Sequence, residues 1–177
     1  MLFPKEYIDF LVHFHSDRDY FECHEILEEF WRKADPRNKH SIWVGFIQLA
    51  VAQYHHRRGN FAGAFRMAEK SLLIFSVNET QLNSLGIEHS LLITQVNRLL
   101  ADINHHQAYR SINLPLISDD LMKLCYERCS ELKLSWGSQS DLSNNLLIHR
   151  HNKRDRSSVI EKRNLSLAKK RTKEANS

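Results

Sequence analysis

The sequence predicts an all-α fold: a small antiparallel bundle of about five helices, with an appended C-terminal helix and a disordered basic tail. Apolar residues recur at the three- and four-residue spacing of amphipathic helices through most of the chain. Only five glycines and three prolines occur in 177 residues, of which 42% are hydrophobic, as in helix-rich globular proteins. We therefore expect the bundle in residues 1–110, the appended helix in 111–137 and the tail in 138–177.

The starts of the first two helices can be placed from local residues. A short amphipathic segment opens at Pro4 and runs to residue 14; proline suits a helix start because its missing N–H has no partner there. Asp17 or Asp19 can cap a second helix over residues 20–34. The residues "DPRN", 35–38, predict the turn that ends it.

The third and fourth predicted helices form an antiparallel hairpin. Residues 41–58 are apolar nearly all round, which is typical of a helix surrounded by others. Gly59 suits the C-terminus of this helix, and Asn60 suits the N-cap of the next, which ends near Phe75. Gly63 and its neighbouring alanines keep one side of the fourth helix thin, so its backbone can approach another helix closely.

A fifth helix and an appended one complete the predicted fold. After a polar, turn-like stretch at 76–86, the fifth helix spans about residues 87–103, and Ser118 caps the appended helix. Each carries one apolar stripe. These stripes consist of Leu92, Val96, Leu99 and Ile103 in the fifth helix, and of Leu121, Leu124, Cys125, Cys129 and Leu132 in the appended one.

Positive charge is concentrated at the end of the chain. Residues 149–177 contain 10 Lys/Arg and 3 Asp/Glu, a net charge of +7, whereas residues 1–148 carry a net charge of −3. The composition of the basic end predicts disorder in isolation. It predicts contact with nucleic acid or another polyanion; a solvated end without a partner is the alternative.

Several observations point to the cytoplasm. The first fifteen residues contain acidic groups and no long uncharged run, unlike a secretory signal. The longest apolar stretch, 42–52, is shorter than a membrane span, so we expect no membrane contact. Cys23, Cys125 and Cys129 cannot all pair within one chain and lack the C-x-x-C spacing of zinc sites, which favours reduced thiols.

The stretch "YFECHEILEEFW", residues 20–31, carries five ionisable groups on a helix that otherwise resembles a core element. On a helical wheel, His24 and Glu28 fall outside the polar face, between Trp31 and Phe21. Their i, i+4 spacing stacks them one turn apart. Burial without a partner would cost them several kcal/mol, so another group must face them.

The third helix supplies such groups, because Gln48 and His55 lie on one line of its otherwise apolar surface. If the two helices pack antiparallel, His24, Glu28, Gln48 and His55 form one internal polar cluster. His24, Glu28 and His55 would suit a divalent transition metal, and a His–carboxylate pair suits acid–base catalysis. The same cluster also fits a structural network that fixes helix register. His56, His89, His105 and His106 are predicted to lie on the surface.

Two motifs carry a family resemblance: "YFECHEILEEFW" and "WVGFIQLAVAQYHHRRGNFAGA". In this order they resemble the helical family called domain of unknown function 309, over about residues 5–105. The resemblance implies a small all-helical bundle and no established activity, cofactor or substrate. Its motif positions include Glu25, so the predicted ligand-binding set is His24, Glu25, Glu28, Gln48 and His55.

A second resemblance leads to an alternative function. "GNFAGAFRMAEKSL" resembles the turn of a tetratricopeptide helix pair, with Gly59, Phe61 and Ala64 in place. One unit is visible, whereas repeat folds stack several. The sequence thus predicts either an internal His/Glu/Gln site for a metal or small polar ligand, or a protein-interaction module whose basic tail contacts nucleic acid.

Overall fold

The computed structural model describes residues 3–150; residues 1–2 and 151–177, which include most of the predicted tail, lie outside the described part. The described residues form eight helices and no β-strand, so the all-α prediction is confirmed. The helices are α1 (Lys5–His15), α2 (Tyr20–Ala34), α3 (Ile42–Arg57), α4 (Phe61–Ser76), α5 (Glu79–Ser84), α6 (His89–Asn104), α7 (Asp119–Leu132) and α8 (Asn145–Ile148).

Side-chain caps fix three helix starts at the predicted positions. The carboxylate of Asp19 accepts a hydrogen bond from the Glu22 backbone N–H at 3.0 Å. Asn60 Oδ1 accepts from the Gly63 N–H at 3.0 Å, and Ser118 Oγ accepts from the N–H of Leu121 at 3.2 Å. Such caps satisfy backbone donors that the first helical turn leaves unpaired, which is why local sequence locates these starts.

Helix α3 lies between α2 and α4 and contributes buried residues all around its circumference. It packs against α4 so closely that a Cβ atom on Gly45 would lie 2.7 Å from Phe75 Cε1. Ser71 Oγ, on α4, donates to the Gly45 carbonyl at 2.9 Å. The two helices run antiparallel, as predicted, and the turn between them places Gly59 at φ +70°, a conformation that favours glycine.

An aromatic cluster joins α1 to this hairpin. The Phe46 ring lies with its centroid 5.7 Å from Tyr7, 5.5 Å from Phe10 and 5.1 Å from Phe75. All four side chains are fully buried. Tilted and edge-on rings at such distances add to the free energy of apolar burial, so α1, α3 and α4 share one core.

The polar stretch 76–86, predicted to be a turn, contains the short helix α5. Its Leu82 is fully buried, so tertiary packing overrides the weak helical signal of "ETQLNS". With only six residues, α5 is too short to start a second tetratricopeptide unit after the α3–α4 hairpin. The predicted fifth helix corresponds to α6, which begins two residues later than expected, after the N-cap Glu88.

The appended helix α7 packs on α1. Arg128 Nε donates to Asp9 Oδ1 at 2.6 Å, and Cys129 Sγ lies 3.2 Å from Ser16 Oγ. Residues 138–150, assigned to the tail from sequence, also contact the bundle: the side chain of Ile148 in α8 is buried.

Within residues 3–150, every helix falls short of the length and apolar character required to traverse a bilayer.

Candidate functional site

Three potential metal ligands lie together on α2: His24, Glu25 and Glu28. Each offers one ligand atom, and these atoms lie within 4.8 Å of one another. His24 Nδ1 is 3.1 Å from Glu25 Oε1, and its Nε2 is 3.7 Å from Glu28 Oε2. The helix therefore brings together three of the five residues that the sequence predicted.

The site opens toward solvent. The side chains of His24, Glu25 and Glu28 are 30%, 31% and 30% exposed, because α2 packs on α1 and α3 with one side and leaves this flank uncovered. Arg32 donates to Glu28 Oε1 at 2.7 Å. An ion could therefore reach the three donors directly, although it would compete with Arg32 for Glu28.

Gln48 borders a cleft next to this group. The cleft, about 200 Å³ in volume, lies between α2 and α3 and is lined by Glu28, Trp31, Lys39, Val44, Ile47 and Gln48. Gln48 Oε1 is buried and has no hydrogen-bond partner in the described part of the chain. A buried carbonyl oxygen without a donor costs free energy, so Gln48 is a member of the predicted set whose side chain the described residues do not fully satisfy.

His55 lies at the other end of α3 and is outside the three-ligand group. Its Nδ1 accepts a hydrogen bond from Asn60 Nδ2 at 3.0 Å, while Asn60 Oδ1 caps α4. His55 thus contacts the turn of the α3–α4 hairpin.

The prediction of surface histidines is wrong for His56, whose residue is only 4% exposed. Its Nε2–H donates to the Gln107 carbonyl at 2.9 Å, and its ring lies 5.8 Å from that of Tyr109. The segment that follows α6 covers it, a tertiary contact that local sequence does not reveal. His89 is half-buried and donates to the Phe75 carbonyl, whereas His105 and His106 are exposed as predicted.

His15 is a buried histidine that the sequence did not single out. Its Nδ1–H donates to the Leu11 carbonyl at 2.8 Å, and its Nε2 accepts from the Leu114 N–H at 2.8 Å. The ring stacks on Trp136 with centroids 4.3 Å apart. Burial, aided by the charge of Arg18, lowers the pKa of His15 to about 4. With both nitrogens engaged, the ring serves structure and cannot ligate a metal.

The three cysteines are buried free thiols, as the sequence predicted. Burial raises the pKa of Cys125 to about 12, with a contribution from Cys129, and burial also raises the pKa of Cys23 well above its usual value. A thiol must ionise to act as a nucleophile or metal ligand. Cys23 and Cys125 therefore behave as small core residues, and Cys129 is likewise buried.

Comparison with known proteins gives one family match and one long alignment. The family model described as "Domain of unknown function (DUF309)" matches residues 7–67, which include all five predicted site residues. The chain is 44% identical over 170 residues to "Uncharacterized protein YpuF" of Bacillus subtilis (strain 168), an alignment covering 96% of this chain and 98% of that protein. No solved structure matches the chain.

Proposed function

This chain belongs to the family described as domain of unknown function (DUF309), and from that premise we propose that it binds a divalent transition-metal ion on α2 through His24, Glu25 and Glu28. The observation that carries the proposal is the approach of their ligand atoms to within 4.8 Å of one another. Two nitrogen or oxygen atoms bound to one tetrahedral zinc ion lie about 3.4 Å apart. Rotation of these partly exposed side chains would bring the three atoms closer by about 1 Å, to that spacing.

The donor set defines the class of ion. One imidazole nitrogen and two carboxylate oxygens are donors that suit zinc, manganese or iron. Soft ions such as Cu(I) prefer thiolate ligands instead. Three protein ligands leave coordination positions open. A small polar ligand could occupy one of these positions.

Gln48 and His55, the remaining residues of the predicted site, have different roles in this proposal. Gln48 would line the cleft beside Glu28 in which a small ligand could bind. His55 contacts Asn60 at the hairpin turn and supplies no metal ligand. The proposal places the protein in the cytoplasm, where its free thiols would stay reduced.

Zinc titration of the full chain, stripped of metal with a chelator and followed by calorimetry, tests this proposal. We expect one ion per chain and a loss of affinity of roughly tenfold or more in His24→Ala, because a ligand is removed. Arg32→Ala should bind about twofold to fivefold tighter, because the ion pair that competes for Glu28 is gone.

Two histidine variants serve as matched controls. His55→Ala and His105→Ala each remove an imidazole outside the three-ligand group, so both should bind zinc like the unchanged protein. Equal affinity in His24→Ala and in the unchanged protein would contradict the proposal. A loss confined to His55→Ala would contradict it as well, because the ligand set would then include α3.

A further inference from the structure

A groove of about 760 Å³ lies between the start of α2 and α8. Its polar wall carries three carboxylates, those of Asp19, Glu22 and Glu25. Apolar surface is supplied by Phe21, Leu146 and Leu147, and the side chain of Leu146 is 67% exposed. A surface that combines negative charge with exposed apolar atoms is suited to a basic, partly apolar chain.

A basic side chain of the same molecule already lies in this groove. Arg150 pairs with Asp19 Oδ2, and its Nη2 lies 3.3 Å from Glu22 Oε2. Its guanidinium carbon is 5.8 Å from the centroid of the Phe21 ring, which is within cation–π range. Asp19 is only 4% exposed, and a carboxylate so buried requires a partner. The groove thus binds an arginine through charge and through its aromatic surface.

The chain continues from Arg150 with a segment of the same chemistry. Residues 151–177 contain 9 Lys/Arg and 3 Asp/Glu, a net charge of +6. Apolar residues are interleaved with these charges, among them Val159, Ile160, Leu165 and Leu167. Because an extended chain advances about 3.3 Å per residue, Lys153 and Arg154 follow closely enough to reach Glu22 and Glu25.

We propose that the basic segment 151–177 docks in this groove of its own molecule, with Arg150 as the anchor. Its lysines and arginines pair with Glu22 and Glu25, and its apolar residues cover Phe21 and Leu146. Docking withholds the segment's positive charge from nucleic acid and other polyanions. The groove thereby regulates what the basic end of the chain can contact.

Zero-length carbodiimide crosslinking of the full chain, followed by mass spectrometry of peptides from the monomer band, tests the docking. The reagent joins a carboxylate directly to a lysine amine, so docking predicts links from Glu22 or Glu25 to Lys153 or Lys162. The reaction is run with a chelator present, which makes its outcome independent of metal binding at Glu25. Absence of these links, or their presence in dimers alone, would overturn the proposal; dimer links would make a second copy the occupant.

Limited trypsin digestion supplies a second test with matched variants. In the double variant Glu22→Gln, Glu25→Gln, loss of two ion pairs should raise cleavage within 151–177 by roughly fivefold, because cleavage follows the population of the undocked segment. The control double variant Glu29→Gln, Glu79→Gln removes two exposed carboxylates outside the groove and should be cleaved like the unchanged protein. Equal cleavage rates in the two double variants would overturn the docking.

Discussion

The stability of the fold should depend on the protonation state of His15. In the folded chain the pKa of His15 is lowered to about 4, first by burial and also by repulsion from Arg18, whereas an exposed histidine titrates near 6.5. Between these values the unfolded chain binds a proton that the folded chain does not. The contribution of His15 to the free energy of unfolding is therefore complete above about pH 6.5. It is lost as the pH falls toward 4, by about 3 kcal/mol in total.

Urea unfolding at a series of pH values measures this effect, and two variants separate it from other titrations. In His15→Gln an amide can still donate to Leu11 and accept from Leu114, but it does not titrate. Its unfolding free energy should therefore fall less between pH 6.5 and 4. His105→Gln changes an exposed histidine and should keep the full dependence; an identical pH profile in both variants would contradict the assignment.

The candidate metal site shows which neighbouring residues can be predicted from the sequence alone. His24 and Glu28 could be paired from sequence because i, i+4 positions on one helix are neighbours whatever the rest of the fold does. The placement of Gln48 beside Glu28 needed only the antiparallel packing of two helices joined by a short turn. His55 was assigned to the same cluster, but it lies outside the group of three neighbouring donors on α2 and contacts Asn60 at the hairpin turn.

At the scale of elements, the close contact of α3 and α4 depends on Gly45. In Gly45→Ala the new methyl group would lie 2.7 Å from Phe75, so we expect a loss of roughly 1–3 kcal/mol in unfolding free energy from overpacking. Phe75→Leu reduces the buried ring and should cost about 1 kcal/mol or more by itself. The double variant should lose less than the sum, because the smaller side chain makes room for the methyl.

A double-mutant cycle in urea unfolding tests this coupling. Gly137→Ala provides a contrast, since a Cβ there meets no atom within 4 Å and only the backbone conformation, at φ +79°, opposes it. Gly137→Ala combined with Phe75→Leu should give additive losses. Additivity in the Gly45 cycle as well would show that the methyl group and the ring do not compete for space.

Helices were predictable where the residues that cap them or form their apolar stripe lie close together in the sequence. The caps Asp19, Asn60 and Ser118 act within three residues of themselves, and the stripe of α6 follows helical periodicity. Helix α5 could not be predicted in this way, because a helix of only six residues is stable only with tertiary support. That support comes from the burial of Leu82.

At the scale of the whole molecule, Arg18 joins distant parts of the chain. This fully buried residue donates hydrogen bonds to the carbonyls of Phe14 at 2.8 Å, Ile112 at 2.6 Å and Ser138 at 2.8 Å. A fourth bond, at 2.7 Å, goes to Asn113 Oδ1. The guanidinium thus holds the segments after α6 and α7 against the turn between α1 and α2.

Replacement of Arg18 should loosen this arrangement. Arg18→Met removes these four hydrogen bonds, one of them to the buried Phe14 carbonyl, so we expect a loss of about 3 kcal/mol or more in unfolding free energy, measured in urea. Arg18→Lys should restore little of it, because an ammonium cannot reproduce the planar fork of donors. Arg66→Met, at an exposed position on α4, should change stability by less than about 0.5 kcal/mol; a similar small change in Arg18→Met would contradict this role.

By itself the sequence determined the helical class, the main helices with three of their caps, the buried thiols and the proximity of the side chains of His24 and Glu28 on α2. Each of these follows from residues within a few positions of one another, where helix geometry sets the distances. The tertiary structure decided what depends on residues far apart in the chain. It buried His15 between α1 and residues 114 and 136, covered His56 with residue 107, and placed Arg150 against Asp19 to form an acidic groove. Such contacts are set by packing across more than fifty residues, which no local spacing records.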